Sequence, residues 1–434
     1  MHRSRESIRT SQLDQLRSLV AELIPGNRFY SRKLADAGLT FDVASLKDFS
    51  RRFPFTIKSE LVSDQQVSPP FGTNLTYPLD RYQRFHQTSG TTGSPLRWLD
   101  TRESWEWLLE LWNDIYDAAG VSSVDHIYFA FSFGPFLGFW TAFEAANRLG
   151  ALCLPGGGLS SVARVNAILE NQATVVCCTP TYALRLAETA AEHQINLSRS
   201  KARTFIVAGE PGGSLPALRQ RFEQLWPGAR MFDHHGMTEV GPVTYECPTR
   251  PGVLHVIETG HLAEIVNPVT GSPASEGECG ELILTPLGRT GSPLIRYRTG
   301  DLVQKEERPV AEGYLPCSCG RFELALPGGI LGRTDDMIVV RGVNVYPSAV
   351  EEIVRQQAEV VEFRVNVAEI HSLVELSVDI ELTGGQTDAA AVAHKLAKDF
   401  QTHFALRIPV QVVETGSLPK FEMKSRRWVR EKQN

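Results

Sequence analysis

VDHIYFAFSFGPFLGFWTAFEAANRLGALCLP, residues 124–155, sets the architecture of this 434-residue chain. HIYFAF is a short apolar, strand-like run. WTAFEAANRLG has helical spacing and stops on a glycine, and ALCLP is strand-like again. The alternation continues with VARVNAILENQ (162–172, helix), TVVCCTP (174–180, strand), TYALRLAETAAEHQ (181–194, helix) and TFIVAG (204–209, strand). Strands and helices at this spacing imply right-handed crossover units and a mostly parallel sheet covered on both faces.

Working outward, LDQLRSLVAELIPGNRFYSRKLADAG (13–38) reads as two helices broken at Ile24-Pro25-Gly26-Asn27. From about Gly252 the texture becomes short strands and turns: GHLAEIVNP, GELILTPLG and GDLVQKEE, a β-rich lobe. After Arg333 it changes again. IVVRG, SAVEEIVRQQ, FRVNVAEI, LVELSVDIEL, AAVAHKLAKDFQTHF and VQVVETG make a compact α+β pattern of domain size. The expected fold class is α/β: a large N-terminal domain (1–334) with mostly parallel sheets flanked by helices plus the β-rich lobe, and a small α+β C-terminal domain (335–434).

Composition narrows the function. The chain is 42% hydrophobic and 22% charged with a formal net charge of -6, which gives no basic footprint for nucleic acid. The start, MHRSRESIRTSQLDQL, is polar, so no signal peptide is read. No apolar run is long enough to span a bilayer. Seven scattered cysteines do not form a disulfide framework, and the expected setting is the cytoplasm.

The chemistry concentrates in HQTSGTTGSPLRW (86–98). Thr88, Ser89, Gly90, Thr91, Thr92 and Gly93 make a loop that can fold tightly and aim N–H groups and hydroxyls at an anion, with ATP phosphates the obvious guest. The other reading is a surface turn. It is not a GxxxxGK[ST] loop, since no lysine stands where that motif demands one. Further on stand VAGEPGG with Gly209-Glu210-Pro211, and FDHHGMTEVG with His235-Gly236-Met237-Thr238-Glu239. Tyr297-Arg298-Thr299-Gly300-Asp301, GRTDDMIVVRGVNVYP from Gly332, and SLPKFEMKSRRW from Ser417 complete the series.

In this order, over nearly the whole chain, these segments resemble the motifs of the adenylate-forming (ANL) enzymes. The run IVVRGVNVYP and the C-terminal ending are similar to their phenylacetate–CoA ligase branch. The resemblance implies that the hydroxyl loop holds the β/γ-phosphates and that Gly209-Glu210-Pro211 contacts adenine. It implies that the Thr238 hydroxyl reaches the α-phosphate, that Glu239 holds Mg²⁺, and that Asp301 grips both ribose hydroxyls. Arg333 would contact the nucleotide, Asp335 would be the hinge, and Lys424 the catalytic lysine. These assignments agree with elementary chemistry. A carboxylate attacking a phosphate needs a hard cation to cancel repulsion, and a carboxylate accepts two hydrogen bonds from a diol. The chain departs from the family pattern at Ser94 (usually Lys, with Arg97 nearby), at His235 (usually an aromatic ring) and at Met423 (usually Gly).

Two further groups stand out. Cys247, His255, Cys317 and Cys319 are a full tetrahedral donor set for structural Zn²⁺, or else buried small hydrophobes with a turn histidine. The resemblance implies zinc in this region for some members. Cys153, Cys177 and Cys178 read as core. In the family the acyl pocket would be lined by Phe131, Phe133, Phe136 and Gly138, with His234 and His235 opposite. Several rings suit an aromatic acid, although each ring can equally be packing.

The expectation is therefore ATP- and Mg²⁺-dependent activation of a carboxylic acid as its acyl-adenylate with pyrophosphate release, then transfer to the thiol of CoA. A carrier-protein thiol, an amine acceptor, a non-catalytic adenylate-binding protein and an ADP-forming phosphotransferase are the alternatives. No nucleic-acid or membrane partner is expected, and the branch implied by the resemblance is often homodimeric.

Overall fold

The computed structural model describes all residues except 1–3, 24–25, 40–41, 89–94, 211, 308, 311–312, 335, 337, 342, 371–372, 384–387, 420–426 and 431–434. It opens with four helices: α1 (Arg5–Leu23), α2 (Arg28–Asp36), α3 (Leu46–Arg52) and α4 (Lys58–Val67). A hairpin of β1 (Tyr82–Gln87) and β2 (Arg97–Thr101) leads into α5 (Arg102–Ala119). Thr101 caps α5 by accepting from Ser104 N, and Gly120 ends it in the left-handed region at φ 68°.

The expected crossover units follow: β3 (His126–Phe129), α6 (Leu137–Leu149), β4 (Leu152–Pro155), α7 (Ser161–Glu170), β5 (Val175–Cys178), α8 (Pro180–Glu192), β6 (Thr204–Val207), α9 (Pro216–Leu225) and β7 (Arg230–Asp233). The five strands form one parallel sheet in the order β4-β3-β5-β6-β7. The two-residue period of a strand splits its side chains between two cores. Ile127, Phe129, Val175, Cys177, Ile206 and Phe232 pack with α5 and α6. Tyr128, Val176, Cys178, Phe205, Val207 and Met231 pack with α7, α8 and α9. Burial on both faces is why these strands read as continuous apolar runs.

A very short hairpin, β8 (Gly236–Met237) and β9 (Gly241–Pro242), then starts the β-rich lobe. In it β10 (Thr244–Glu246), β11 (Val253–Val256) and, later, β17 (Ala325–Pro327) form one sheet. β12 (His261–Val266), β13 (Cys279–Pro286), β14 (Tyr297–Gln304) and β18 (Gly332–Arg333) form another. The ribbon β15 (Pro309–Val310) and β16 (Gly313–Tyr314) lies between. The lobe shares a core with α1, α2 and α3.

The C-terminal part comprises β19 (Ile338–Val340), β20 (Val343–Val345), α10 (Pro347–Arg355), β21 (Val360–Ile370), β22 (Leu373–Leu382), α11 (Ala389–Phe404), β23 (Val410–Val412) and β24 (Trp428–Arg430). Its sheet runs β23-β22-β21-β24, and among the described residues its core draws on none before Ile338. No helix among the described residues is long and apolar enough to cross a membrane.

Candidate active site

The hydroxyl loop sits at the tip of the β1–β2 hairpin. Thr88 N donates to Leu96 O (3.0 Å) and Leu96 N donates to Thr88 Oγ1 (3.0 Å), closing the loop at its base. Ser89, Gly90, Thr91, Thr92 and Gly93 lie outside the described residues. Arg97, the nearest downstream cation, donates to Pro70 O (2.9 Å). Gln87 N donates to Pro135 O (2.8 Å), which ties this hairpin to the Phe-rich loop after β3.

Two of the other predicted segments, at Gly209 and at His234 to Glu239, follow β6 and β7 at the C-terminal edge of the parallel sheet, where open α/β sheets bind ligands. After β6 the chain turns at Gly209, whose φ of 95° suits glycine. The Glu210 carboxylate accepts from Thr181 N (2.9 Å) and Thr181 Oγ1 (2.5 Å) at the start of α8. Pro211 lies outside the described residues. A side chain at Gly213 would overlap Asp233, so glycine lets the two loops touch. After β7, the buried His234 meets the edge of the Trp112 ring at 4.8 Å, and burial, reinforced by the charge of His235, lowers its pKa to about 3. His234 is therefore neutral.

His235 points the other way. Its Nε2 stands 3.0 Å from Asp301 Oδ2, while Arg333 Nη1 donates to Asp301 Oδ1 at 3.0 Å. Burial would raise the Asp301 pKa, but His235 first and Arg333 next hold it below the usual carboxylate value. By hydrogen-bond geometry neither His235 Nε2 nor Asp301 Oδ2 is paired among the described residues, although the two stand 3.0 Å apart. A carboxylate oxygen has lone pairs for more than one donor.

Thr238 and Glu239 form the turn between β8 and β9. Glu239 is 3% exposed; its Oε1 lies 3.1 Å from Lys58 Nζ and 3.5 Å from the Tyr297 hydroxyl. Burial, and then the Glu239 charge, raises the Tyr297 pKa well above its ordinary value, so that hydroxyl is a donor. Beneath the turn, Arg289 Nη1 donates to Thr238 O (2.7 Å) and Glu239 O (2.9 Å), and its Nε and Nη2 grip the two oxygens of Asp100.

Lys58, Asp100, Arg289 and Tyr297 are the residues the sequence reading did not assign. Asp100, a charge inside the strand RWLDT, left a signal, and Tyr297 opens the Tyr297–Asp301 segment quoted above, where it was given no role. Lys424 and Asp335 lie outside the described residues.

Of the expected acid-pocket residues, Phe131 stacks on Phe139 (4.1 Å) and meets Phe133 at 5.6 Å, and Phe133 packs against Trp140 and Phe143. Those two rings thus close an aromatic cluster on the sheet core. Phe136 caps the start of α6 at 6.0 Å from Phe139, and Gly138 on its first turn is exposed, with nothing near a Cβ built there. Trp112 links the two sides: its indole N–H donates to Thr141 on α6 (2.9 Å) and its ring meets His234.

Away from the cleft, the ligand atoms of Cys247, His255, Cys317 and Cys319 all lie within 4.8 Å of one another. Cys247 Sγ and Cys317 Sγ are 3.7 Å apart, and Cys319 Sγ is 3.5 Å from His255 Nε2. Tetrahedral Zn²⁺ with ordinary bond lengths sets such atoms about 3.6–3.8 Å apart, so the set fits the ion. His255 Nδ1 faces Glu323 O at 3.3 Å, the outer contact that commonly orients a ligating imidazole. Burial would lower the His255 pKa, yet the three thiols push it up to about 11. Burial would raise that of Cys317, which His255 and the other donors bring down to about 5. Cys317, and in the same direction Cys247, is thus shifted toward the thiolate, the form that binds metal.

Two parts of the chain match known domain families: residues 85–286 match the AMP-binding enzyme family, and residues 342–432 its C-terminal domain. The phenylacetate–coenzyme A ligase of Thermus thermophilus is 32% identical, covering 96% of this chain and 95% of its own. That of Escherichia coli K12 is 32% identical over 97% and 96%. Among solved structures, 2-hydroxyisobutyryl-CoA ligase in its postadenylation state superposes with a TM-score of 0.90 at 26% identity, covering 99% of this chain and 90% of that one. The same ligase in its thioesterification state gives 0.72 over 98% and 90%. The chain belongs to the phenylacetate–coenzyme A ligase family, AMP-binding ligases that join a carboxylic acid to a thiol.

Proposed function

We propose that the chain activates an aromatic carboxylic acid as its acyl-adenylate at the edge of the parallel sheet, releases pyrophosphate, and transfers the acyl group to the thiol of CoA. The observation that carries this reading is the pair of buried carboxylates, Asp301 and Glu239, both close enough to Tyr297 to act on its hydroxyl and set in different surroundings. Asp301 is held ionised by His235 and Arg333, and a carboxylate with two oxygens suits a ribose diol. Glu239, next to Thr238 in the chain, offers hard oxygen ligands, and among the described residues the half-exposed Lys58 ammonium and the Tyr297 hydroxyl lie near its Oε1.

In this reading Glu239 holds Mg²⁺, which cancels the repulsion between the acid's carboxylate and the phosphates. Thr88 through Gly93 cradle the β/γ-phosphates, Thr238 contacts the α-phosphate, and Gly209 through Pro211 border the adenine. His235 takes the place of the family's aromatic ring and also braces Asp301. Arg333 holds the other Asp301 oxygen. Lys424, from the C-terminal domain, stabilises the charge that builds on the α-phosphate, and Asp335 is the pivot. Phe131, Phe133, Phe136 and the neutral His234 form an apolar wall suited to a ring. Cys247, His255, Cys317 and Cys319 hold a structural Zn²⁺.

Acid-dependent ATP–pyrophosphate exchange with aryl, arylacetic and short aliphatic acids tests this reading. Exchange with the ring-bearing acids, and AMP as the nucleotide product once CoA is added, is the expected result. Exchange with aliphatic acids alone would overturn the aromatic assignment. ADP as product would overturn the adenylation itself.

A further inference from the structure

Arg289 is fully buried, 1% exposed, and lies outside every segment that resembles a family motif. Its guanidinium makes four hydrogen bonds to two distant parts of the site. Nε and Nη2 donate to the two oxygens of Asp100 on β2 at 2.6 and 2.7 Å, and the cation lies 5.1 Å from the centre of the Trp98 ring, two residues along the same strand face. Nη1 donates to the carbonyl oxygens of Thr238 and Glu239 at 2.7 and 2.9 Å. On one side, then, the arginine holds the hairpin that carries the hydroxyl loop. On the other it holds the backbone of the two residues read as the α-phosphate and Mg²⁺ contacts.

The turn needs an outside brace. β8 and β9 contribute two residues each, and so small a hairpin has little rigidity of its own. A planar fork with donors on three nitrogens can satisfy a carboxylate and two carbonyls at once, which a lysine cannot. Stability alone does not account for the arrangement, since a buried ion pair seldom outdoes a well-packed apolar pair. Asp100 is completely buried, and the Arg289 cation, opposing the burial, keeps its pKa low, so the pair stays ionised. His86, 3.8 Å from Asp100 Oδ2 and stacked on Trp105, closes the remaining side.

We infer that Arg289, anchored by Asp100, is a positioning residue that fixes the Thr238–Glu239 turn against strand β2, and so holds the turn where Mg²⁺ and the α-phosphate are read to bind. The inference rests on the reading of that turn given above. Four proteins test it: wild type, Arg289→Lys, Arg289→Met, and the double variant Arg289→Met with Asp100→Leu, which removes both charges. Binding of a non-hydrolysable ATP analogue is followed by calorimetry across a Mg²⁺ series, with thermal melting and pyrophosphate exchange alongside.

The expected result for Arg289→Lys is a rise of about tenfold or more in the Mg²⁺ needed for half-maximal binding, the size found when outer contacts of a metal ligand are lost. The KM for the acid should change less than about threefold. In the double variant the melting temperature should recover relative to Arg289→Met while the Mg²⁺ requirement stays high. An unchanged Mg²⁺ requirement in Arg289→Lys, or one that recovers together with the melting temperature in the double variant, would overturn the inference. If wild type shows no exchange with any acid, the proposed reaction fails, yet the binding series still decides the role of Arg289.

Discussion

Asp233 shows how much a single buried carboxyl can set the behaviour of the site. It ends β7 next to His234 and His235, accepts from Ser214 Oγ (2.5 Å), and lies near Glu246, whose Oε2 accepts from Asp233 N (2.8 Å). Burial raises its pKa to about 7, and the hydrogen bond from Ser214 only partly offsets that. A folded-state value above the unfolded one means that the folded protein binds this proton more tightly. The stability from that proton is fully present below about pH 4 and is lost as pH rises through about 7. Asn keeps the shape and an acceptor for Ser214 but cannot ionise. In melts from pH 4 to 8, the melting temperature of Asp233→Asn should therefore gain on wild type up to about pH 7 and run parallel above it. A difference that stays constant across that range would show that Asp233 does not titrate there. Asp301 does not interfere, because its lowered pKa puts its loss of stability at more acidic pH.

The β10–β11–β17 sheet has only three or four residues per strand, too little to hold its shape on hydrogen bonds alone. Its local core is Cys247, Val253, Cys317 and Ala325, so the four donors take the place of a hydrophobic centre. About one Zn²⁺ per chain is expected in the purified protein. Stripping it with a chelator, or the substitution Cys317→Ser, should lower the melting temperature by on the order of 5 °C or more. A metal-free protein whose melting temperature is indifferent to Cys317→Ser would remove the metal. The donors could be picked out in the sequence because cysteine and histidine are rare and four of them meet one coordination number. The parallel sheet was readable for a similar reason, since apolar runs such as VVCC and TFIV bounded by helices have few other solutions. Arg289 was not readable. Arginine is common, its anchor Asp100 is 189 residues away, and its other partners are carbonyl oxygens that carry no side-chain identity. The Lys58–Glu239 contact was hidden in the same way, by a fold that brings α4 across the cleft.

At the scale of the whole molecule, the question is whether one cleft can serve two half-reactions. The contacts between the domains favour it. Among the described residues the core of the C-terminal domain takes nothing from the large domain, and α10 reaches α9 through the Glu352 carboxylate. α9 has no side-chain cap of its own at Leu215, and both Glu352 oxygens lie 3.4 Å from Ala217 N at its start. Arg221 Nη1 donates to Ala358 O at 3.3 Å in return. A carboxylate at a helix N-terminus contributes about 0.3–1 kcal/mol, enough to favour one docking and too little to forbid another. Small polar interfaces of this kind permit domain motion. If the C-terminal domain delivers Lys424 only for adenylation and then turns away, Lys424→Ala should lower pyrophosphate exchange by about 10²-fold or more, the order seen when a group that stabilises transition-state charge is removed. Thioester formation from supplied acyl-adenylate and CoA should stay within about threefold of wild type, because the variant loses no contact used in that step. Both rates are measured on the same preparation, with exchange and thioester release followed separately. Equal loss in both would mean that Lys424 serves the cleft throughout, and alternation of the domain would no longer explain the chemistry.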